Sequence, residues 1–428
     1  MMIALLFGVM IVLLFMGFPM MVPLIAAALA MMWVFFPFTD PAILVQQMIG
    51  GVSPAVLTAV PMFIFAADIM TKGHTADRLL DLVMRFVGHV RGGLPITTAL
   101  SCTLFGAVSG STQATVVAMG GPLRPKLLEA GYRDSFAIAL IINASDIALL
   151  IPPSIGMIIY GVVSGTSVGE LFIAGIGPGL LVLVLFSLYA YVISRVQGVP
   201  VQARASWGLR WQAVKKAALP LGFPVIIIGG IYSGVFSPTE AAAVSVLYAL
   251  ILELFIFRAI DYRELPSLAL STGLITAVVF ILVAAGTAFS WTISFAQIPD
   301  QLLGGLLAEA AGNPQMVLVV VAVAFFVGCM FVDPIVVILI LTPIFAPVVD
   351  RAGIDPVLVG ALVTLQAAIG SATPPFGCDI FTAMAIFRRP YLEIIRGTPP
   401  FIFMLLIASA LLIAFPSIAL FLRDLAFR

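Results

Sequence analysis

Two kinds of short motif in this 428-residue chain can do chemistry, and neither contains a catalytic side chain. Small hydroxyl and glycine residues gather at Ser109-Gly110-Ser111-Thr112-Gln113, and a carboxylate stands in Val332-Asp333-Pro334. Pro-Pro pairs interrupt apolar runs at Leu150-Ile151-Pro152-Pro153-Ser154 and at Thr373-Pro374-Pro375. A Pro-Pro pair removes two N–H donors and frees carbonyls of the preceding turn. Glycine lets backbone approach a ligand closely. Freed carbonyls and hydroxyls are oxygen ligands for sodium, while the N–H groups that open a half-helix attract an anion. The chemistry expected is ion binding and release, not bond making.

On this basis the sodium ligands are Ser109, Gly110, Asp146, Ile151, Pro152, Val332, Asp333, Gly370, Thr373 and Pro374. The substrate contacts are Ser111, Thr112, Gln113, Ser154 and Asp333. Two cavities are expected. One joins the tip at 109–113 to the break near Asp146 and 151–154; the other joins 332–334 to 370–375. A plainer role competes at several positions: Ser109, Ser111 and Thr112 suit helix caps, as do Asp146, Asp333 and Asp379, and Asp68 lies near a helix end. No cofactor is expected beyond sodium as coupling ion. Cys102, Cys329 and Cys378 form no CxxC pair, and His74 and His89 lie in a polar stretch, so zinc sites and disulfide frameworks are excluded. An intramembrane hydrolase would need a nucleophile with a base or metal, and no such set or HExxH motif is present.

The elements that hold these motifs must sit in lipid. Residues are 62% hydrophobic and 9% charged, too few charges to cover a soluble protein of this length. A formal net charge of zero argues against a nucleic-acid partner. Apolar segments recur at about 2–36, 45–70, 95–123, 135–163, 170–194, 217–236, 239–257, 265–290, 314–349, 356–387 and 399–422. The first lacks a basic n-region and reads as a retained membrane helix, not a signal peptide. Residues 195–216 read as the longest polar linker. Between Thr75 and Val90, Asp77, Asp81, Arg85 and His89 recur every four residues opposite Leu79, Leu82, Val83 and Phe86, which predicts an amphipathic interfacial helix with an Asp81–Arg85 pair. Ser237-Pro238-Thr239-Glu240 predicts a capping box with proline at the first helical position.

Segments 95–123 and 314–349 are too short for two crossings and too long for one, so each reads as a re-entrant hairpin. A shift of 222 positions aligns Gly106 with Gly328, Pro125 with Pro347, Gly131 with Gly353 and Pro152-Pro153 with Pro374-Pro375. Hairpin plus broken helix is therefore expected twice. With the N-terminus in the cytoplasm, internal breaks hold Lys72, Arg78, Arg85 and Arg91; Arg124, Lys126 and Arg133; Arg195, Arg204, Arg210, Lys215 and Lys216; Arg258 and Arg263; and Arg388, Arg389 and Arg396. External breaks hold Arg351, Arg423 and Arg428. That bias fixes orientation and puts the hairpin mouths on opposite faces. The fold class expected is an all-α polytopic membrane protein with inverted repeats, two re-entrant hairpins and two broken transmembrane helices.

The runs Phe105-Gly106-Ala107-Val108-Ser109-Gly110-Ser111, Ile151-Pro152-Pro153-Ser154 with Tyr160-Gly161, Pro238-Thr239-Glu240-Ala241-Ala242-Ala243 and Thr373-Pro374-Pro375 occur in register over nearly the whole chain. Together they resemble the large membrane subunit of tripartite ATP-independent periplasmic (TRAP) transporters. The resemblance implies an elevator-type permease of the bacterial inner membrane. It implies a separate small four-helix membrane subunit, a periplasmic solute-binding protein that delivers an organic acid, and a sodium gradient as driving force. It divides the chain into scaffold and arm (1–94), first transport repeat (95–163), scaffold and arms (164–313), second transport repeat (314–388) and a C-terminal scaffold helix (389–428). Ala67-Asp68, Gln113 and Asn143-Ala144-Ser145-Asp146 depart from the usual family pattern. These added polar groups suggest a hydroxyl-rich acid such as sialic acid over a C4-dicarboxylate. The alternative is a stand-alone sodium–dicarboxylate symporter that needs no binding protein.

Overall fold

Lipid offers backbone groups no hydrogen-bond partner, so an apolar chain must pair them within its own helices or a closed barrel. In the computed structural model the described residues, 1–201, 203–299 and 313–427, are helical with no strand among them. The 300–312 end of the expected 164–313 unit and the external cation Arg428 lie outside the described residues. Seven helices among the described residues are long and apolar enough to cross a membrane.

The N-terminal run is not the single helix expected. It forms α1 (Met2–Phe15) and α2 (Met21–Phe35), packed on each other. Gly17 turns the chain with φ +83° and Pro19 offers no N–H to continue α1. At ~1.5 Å per residue neither helix spans a ~30 Å hydrocarbon core. Next come α3 (Ala42–Val52), α4 (Ala59–Lys72) and the amphipathic α5 (Thr75–Val87), in which Arg85 Nε meets Asp81 Oδ1 at 3.0 Å as predicted.

Helices α6 (Gly93–Ser109) and α7 (Thr112–Glu129) form the first hairpin, and α8 (Asp134–Ser145) and α9 (Ile155–Ser164) the first broken helix. Long α10 (Val168–Val196) follows. The expected linker shortens, because α11 (Trp207–Tyr232) already begins at Trp207 and carries Arg210, Lys215 and Lys216. Ser237 opens α12 (Pro238–Leu250) with the predicted reciprocal capping box, and α13 (Leu265–Phe295) is the longest helix described.

The second hairpin is α14 (Pro314–Phe331) and α15 (Pro334–Arg351); the second broken helix is α16 (Pro356–Ser371) and α17 (Cys378–Phe387). Short α18 (Tyr391–Ile395), α19 (Pro399–Ala414) and α20 (Ser417–Ala426) close the described chain. The two helices before the breaks are the most enclosed elements. Every residue of Phe136–Ser145 in α8 and Val357–Ser371 in α16 is buried, which explains why their sequences lack a polar stripe.

Ionic contacts between elements join residues expected on one face. Arg124 grips Asp134 through Nε and Nη2, both at 2.7 Å, and Arg389 reaches the same carboxylate at 3.4 Å. Lys72 pairs with Glu264 at 2.5 Å. On the face assigned to the exterior, Arg423 bridges Glu170 at 3.2 Å and Asp355 at 2.6 Å.

Candidate functional site

The first hairpin turns at Gly110, where φ is +62°, a conformation that costs glycine little and other residues more. A Cβ there would also drive into the carbonyl oxygen of Pro153, so only glycine lets the tip rest on the first break. Ser111 then caps α7 by accepting from Ala114 N, and Ser109 Oγ meets Thr115 Oγ1 at 2.9 Å. The cap weighed against ion binding is thus present at Ser111, while Ser109 ends α6 without capping a helix.

The second tip is built in parallel fashion. Val332 is extended, and Asp333 caps α15 by accepting from Ile335 N at 2.9 Å. Phe376 N donates to Met330 O at 3.2 Å, binding the second tip to the second break. Gly370 lies against the backbone and side chain of Cys329, where a Cβ would not fit. Both Pro152-Pro153 and Pro374-Pro375 are cis.

Each tip therefore meets its own break, as the motifs suggest. The structure adds a bridge between the two halves. Thr112 Oγ1 donates to Asp379 Oδ1 at 2.7 Å, and Gln113 Nε2 approaches Cys378 Sγ at 3.1 Å. One narrow space of about 70 Å³ collects both tips. Its walls are Gly110, Ser111, Thr112, Gln113, Leu149, Ile155 and Gly156 from the first half. Asp333, Pro334, Ile335, Ile338, Thr364, Ala367 and Ser371 come from the second. Asp333 is the one charged side chain in that wall.

Other predicted residues stand behind the wall. Ser154 is buried and caps α9 through Met157 N at 3.3 Å; Ile151 and Pro152 are buried, with Ile151 packed on Gly179. Thr373 donates to Ile369 O at 2.6 Å, and Pro374 is half-buried. Asp146 is wholly buried, and among the described residues no donor group reaches either of its carboxylate oxygens. Sequence reasoning missed Thr364 and Ala367, which share a face of α16 with Ser371 of the expected 370–375 break. The i, i+3, i+7 spacing of these three marks one helical face of small and hydroxyl residues, a signal masked by the uniform apolar character of α16. A larger groove of about 590 Å³ between α4, α12 and α13 has no charged lining residue and touches neither tip.

Two hairpin tips and two broken helices converging on a polar space inside an apolar helical body define a multi-pass membrane transporter. The chain belongs to the tripartite ATP-independent periplasmic transporter family, DctM component, whose description matches residues 7–418. It is a large permease subunit and not an enzyme. It is 66% identical to the ectoine TRAP transporter large permease protein TeaC of Halomonas elongata over 98% of both chains. It is also 66% identical to the ectoine/5-hydroxyectoine large permease protein UehC of Ruegeria pomeroyi over 99% of both. The sialic acid permease SiaM of Vibrio cholerae and the C4-dicarboxylate permease DctM of Pseudomonas aeruginosa, the two substrate classes expected from the sequence, stand further off, at 35% and 37% identity. The fold is similar to the crystal structure of the Alcanivorax borkumensis YdaH transporter, with TM-score 0.62 and 18% identity over 89% of this chain and 88% of that one.

Proposed function

We propose that this permease imports a small zwitterionic carboxylate of the ectoine type, driven by a sodium gradient. The observation that carries the substrate class is the cavity wall itself: its one charged residue is Asp333, with no Lys, Arg or His beside it. A dicarboxylate would enter with two negative charges and meet a third. Ectoine is a cyclic amidine bearing a carboxylate, so its delocalised cation can face Asp333 while its carboxylate faces hydroxyl groups and helix N-termini. The 66% identity to two ectoine permeases supports the same class.

The transport cycle proposed is of the elevator type. The two hairpins and two broken helices form inverted re-entrant repeats and move as a body against α1–α5, α10–α13 and α19–α20. A space of about 70 Å³ is well below the several hundred Å³ of a usual small-molecule site, so a hairpin must shift to admit substrate. Sodium binds at the tips and breaks, through the oxygen-rich segments 109–112, 146–152, 332–333 and 370–374. A periplasmic binding protein delivers the solute, and a separate small four-helix subunit completes the unit in the inner membrane. On this reading the N-terminus lies in the cytoplasm, which the clustering of cations supports.

Competition tests the substrate class. In proteoliposomes holding both membrane subunits, with the binding protein outside, labelled ectoine uptake should fall with excess unlabelled ectoine and persist with excess sialic acid or succinate. Equal displacement by succinate would reject the zwitterion.

A further inference from the structure

The cavity does not account for two fully enclosed carboxylates. Asp146 lies in the first break and Asp379 in the first turn beyond the second break, and both are 0% exposed. Their carboxylates come within hydrogen-bonding reach of one another. Asp379 Oδ1 accepts from Thr112 Oγ1, but among the described residues no donor group reaches Asp379 Oδ2 or either oxygen of Asp146. One turn earlier on α8, buried Asn143 donates to Ala139 O and leaves its own Oδ1 without a partner. The titratable groups that bear on the pair are Cys102 from α6, Cys378 from α17 and Asp333 from the second tip, none of them cationic. Two adjacent carboxylates sealed from water need a positive charge between them, because burial penalises each and their mutual repulsion adds to it. The described residues supply oxygens there and no cation.

We propose that Asp146, Asp379 and the hydroxyl of Thr112 form a buried site for one alkali cation, sodium in the cycle above. The site ties the first hairpin to both breaks. Thr112 belongs to α7, Asp146 follows α8 and Asp379 opens α17, so an ion held by all three closes the first tip onto the second half. Removing the ion leaves two like charges in contact and favours separation of those elements. This assignment rests on the sodium-driven reading and adds to it a site built from carboxylates in place of backbone carbonyls.

Sodium-22 binding to the purified two-subunit complex, alongside uptake in proteoliposomes, tests it. Asp146→Asn and Asp379→Asn should each lower the bound sodium by one ion per permease and raise the sodium half-saturation of uptake about tenfold or more, a change of ~1.4 kcal/mol. Should either variant fail to assemble, Thr112→Val keeps both carboxylates and should raise the half-saturation, with Thr112→Ser restoring it. A sodium count and half-saturation unchanged in all variants would overturn the assignment. An unchanged count together with an infrared band of a protonated carboxyl that Asp379→Asn abolishes would also overturn it, in favour of a shared proton. If the unaltered complex binds no sodium and transports without it, the sodium-driven reading itself fails; a sodium-dependent wild type with unaffected variants refutes this site alone.

Discussion

Thr112 and Asp379 stand 267 positions apart in sequence and 2.7 Å apart in space, hydroxyl to carboxylate, in a region where neither meets solvent. That contact joins the start of α7 to the start of α17. It makes a single centre of two motifs that the sequence presents separately. The consequences for neighbouring residues can be measured.

At the first tip, Gly110→Val should cut uptake at least tenfold while the complex still elutes as a single assembled species. The left-handed backbone at Gly110 costs an L-residue ~1–2 kcal/mol, and the new Cβ meets the Pro153 carbonyl. The tip must then lift from the break. Wild-type uptake by this variant would show that the tip and break need not touch.

Asp333 holds two roles that substitution separates. Asn can still accept from Ile335 N and cap α15, so Asp333→Asn should keep the thermal stability of the complex and raise the substrate half-saturation about tenfold. Asp333→Ala should lose the cap as well, at a cost of ~1 kcal/mol. Unchanged substrate affinity in Asp333→Asn would leave Asp333 as a cap alone.

On the face assigned to the exterior, Arg423 donates to Glu170, Asp355 and Asp424 at 3.2, 2.6 and 2.7 Å and is mostly buried. It fastens α20 to the starts of α10 and α16, and Asp355 also caps α16 through Val357 N. Arg423→Met should destabilise the complex by ~1–3 kcal/mol, read as a lower midpoint of thermal unfolding in detergent. Arg423→Lys should not restore it, because one ammonium lacks the planar fork that serves three carboxylates.

The Arg124–Asp134 contact gives a pH signature. Hydrogen bonds from Arg124 hold the Asp134 carboxyl below its usual range. A lowered carboxyl pKa stabilises the folded state at pH values above the unfolded value, near 4, and the contribution disappears as pH falls through the folded pKa. The pair is partly exposed, so the effect should not exceed ~1 kcal/mol. The unfolding midpoints of wild type and Asp134→Asn should therefore differ at pH 7 and converge below pH 4. A constant gap would assign the difference to something other than this charge.

Much of this centre is legible in the sequence. Gly110, Asp333 and the Pro-Pro pairs mark the tips and breaks because glycine and proline act locally on backbone geometry. Ser237 and Glu240 form their capping box for the same reason, since three residues suffice to define it. The pairing of Thr112 with Asp379 was not legible, because no local pattern encodes contacts between distant segments. Hydropathy also misread residues 2–36 as one helix: Gly17 and Pro19 are a weak break beside so many apolar neighbours. The 195–216 linker is shorter than the charges suggest, because Lys215 and Lys216 stand on an exposed face of α11 while Arg210 is buried within it.

The most direct test of the account is uptake by the reconstituted two-subunit permease under imposed gradients. With loaded binding protein outside, labelled ectoine should accumulate only when sodium is higher outside than inside. Accumulation should cease when either the gradient or the binding protein is withdrawn. Accumulation at equal sodium on both sides with no other gradient, or full uptake of free solute with sodium but no binding protein, would contradict it.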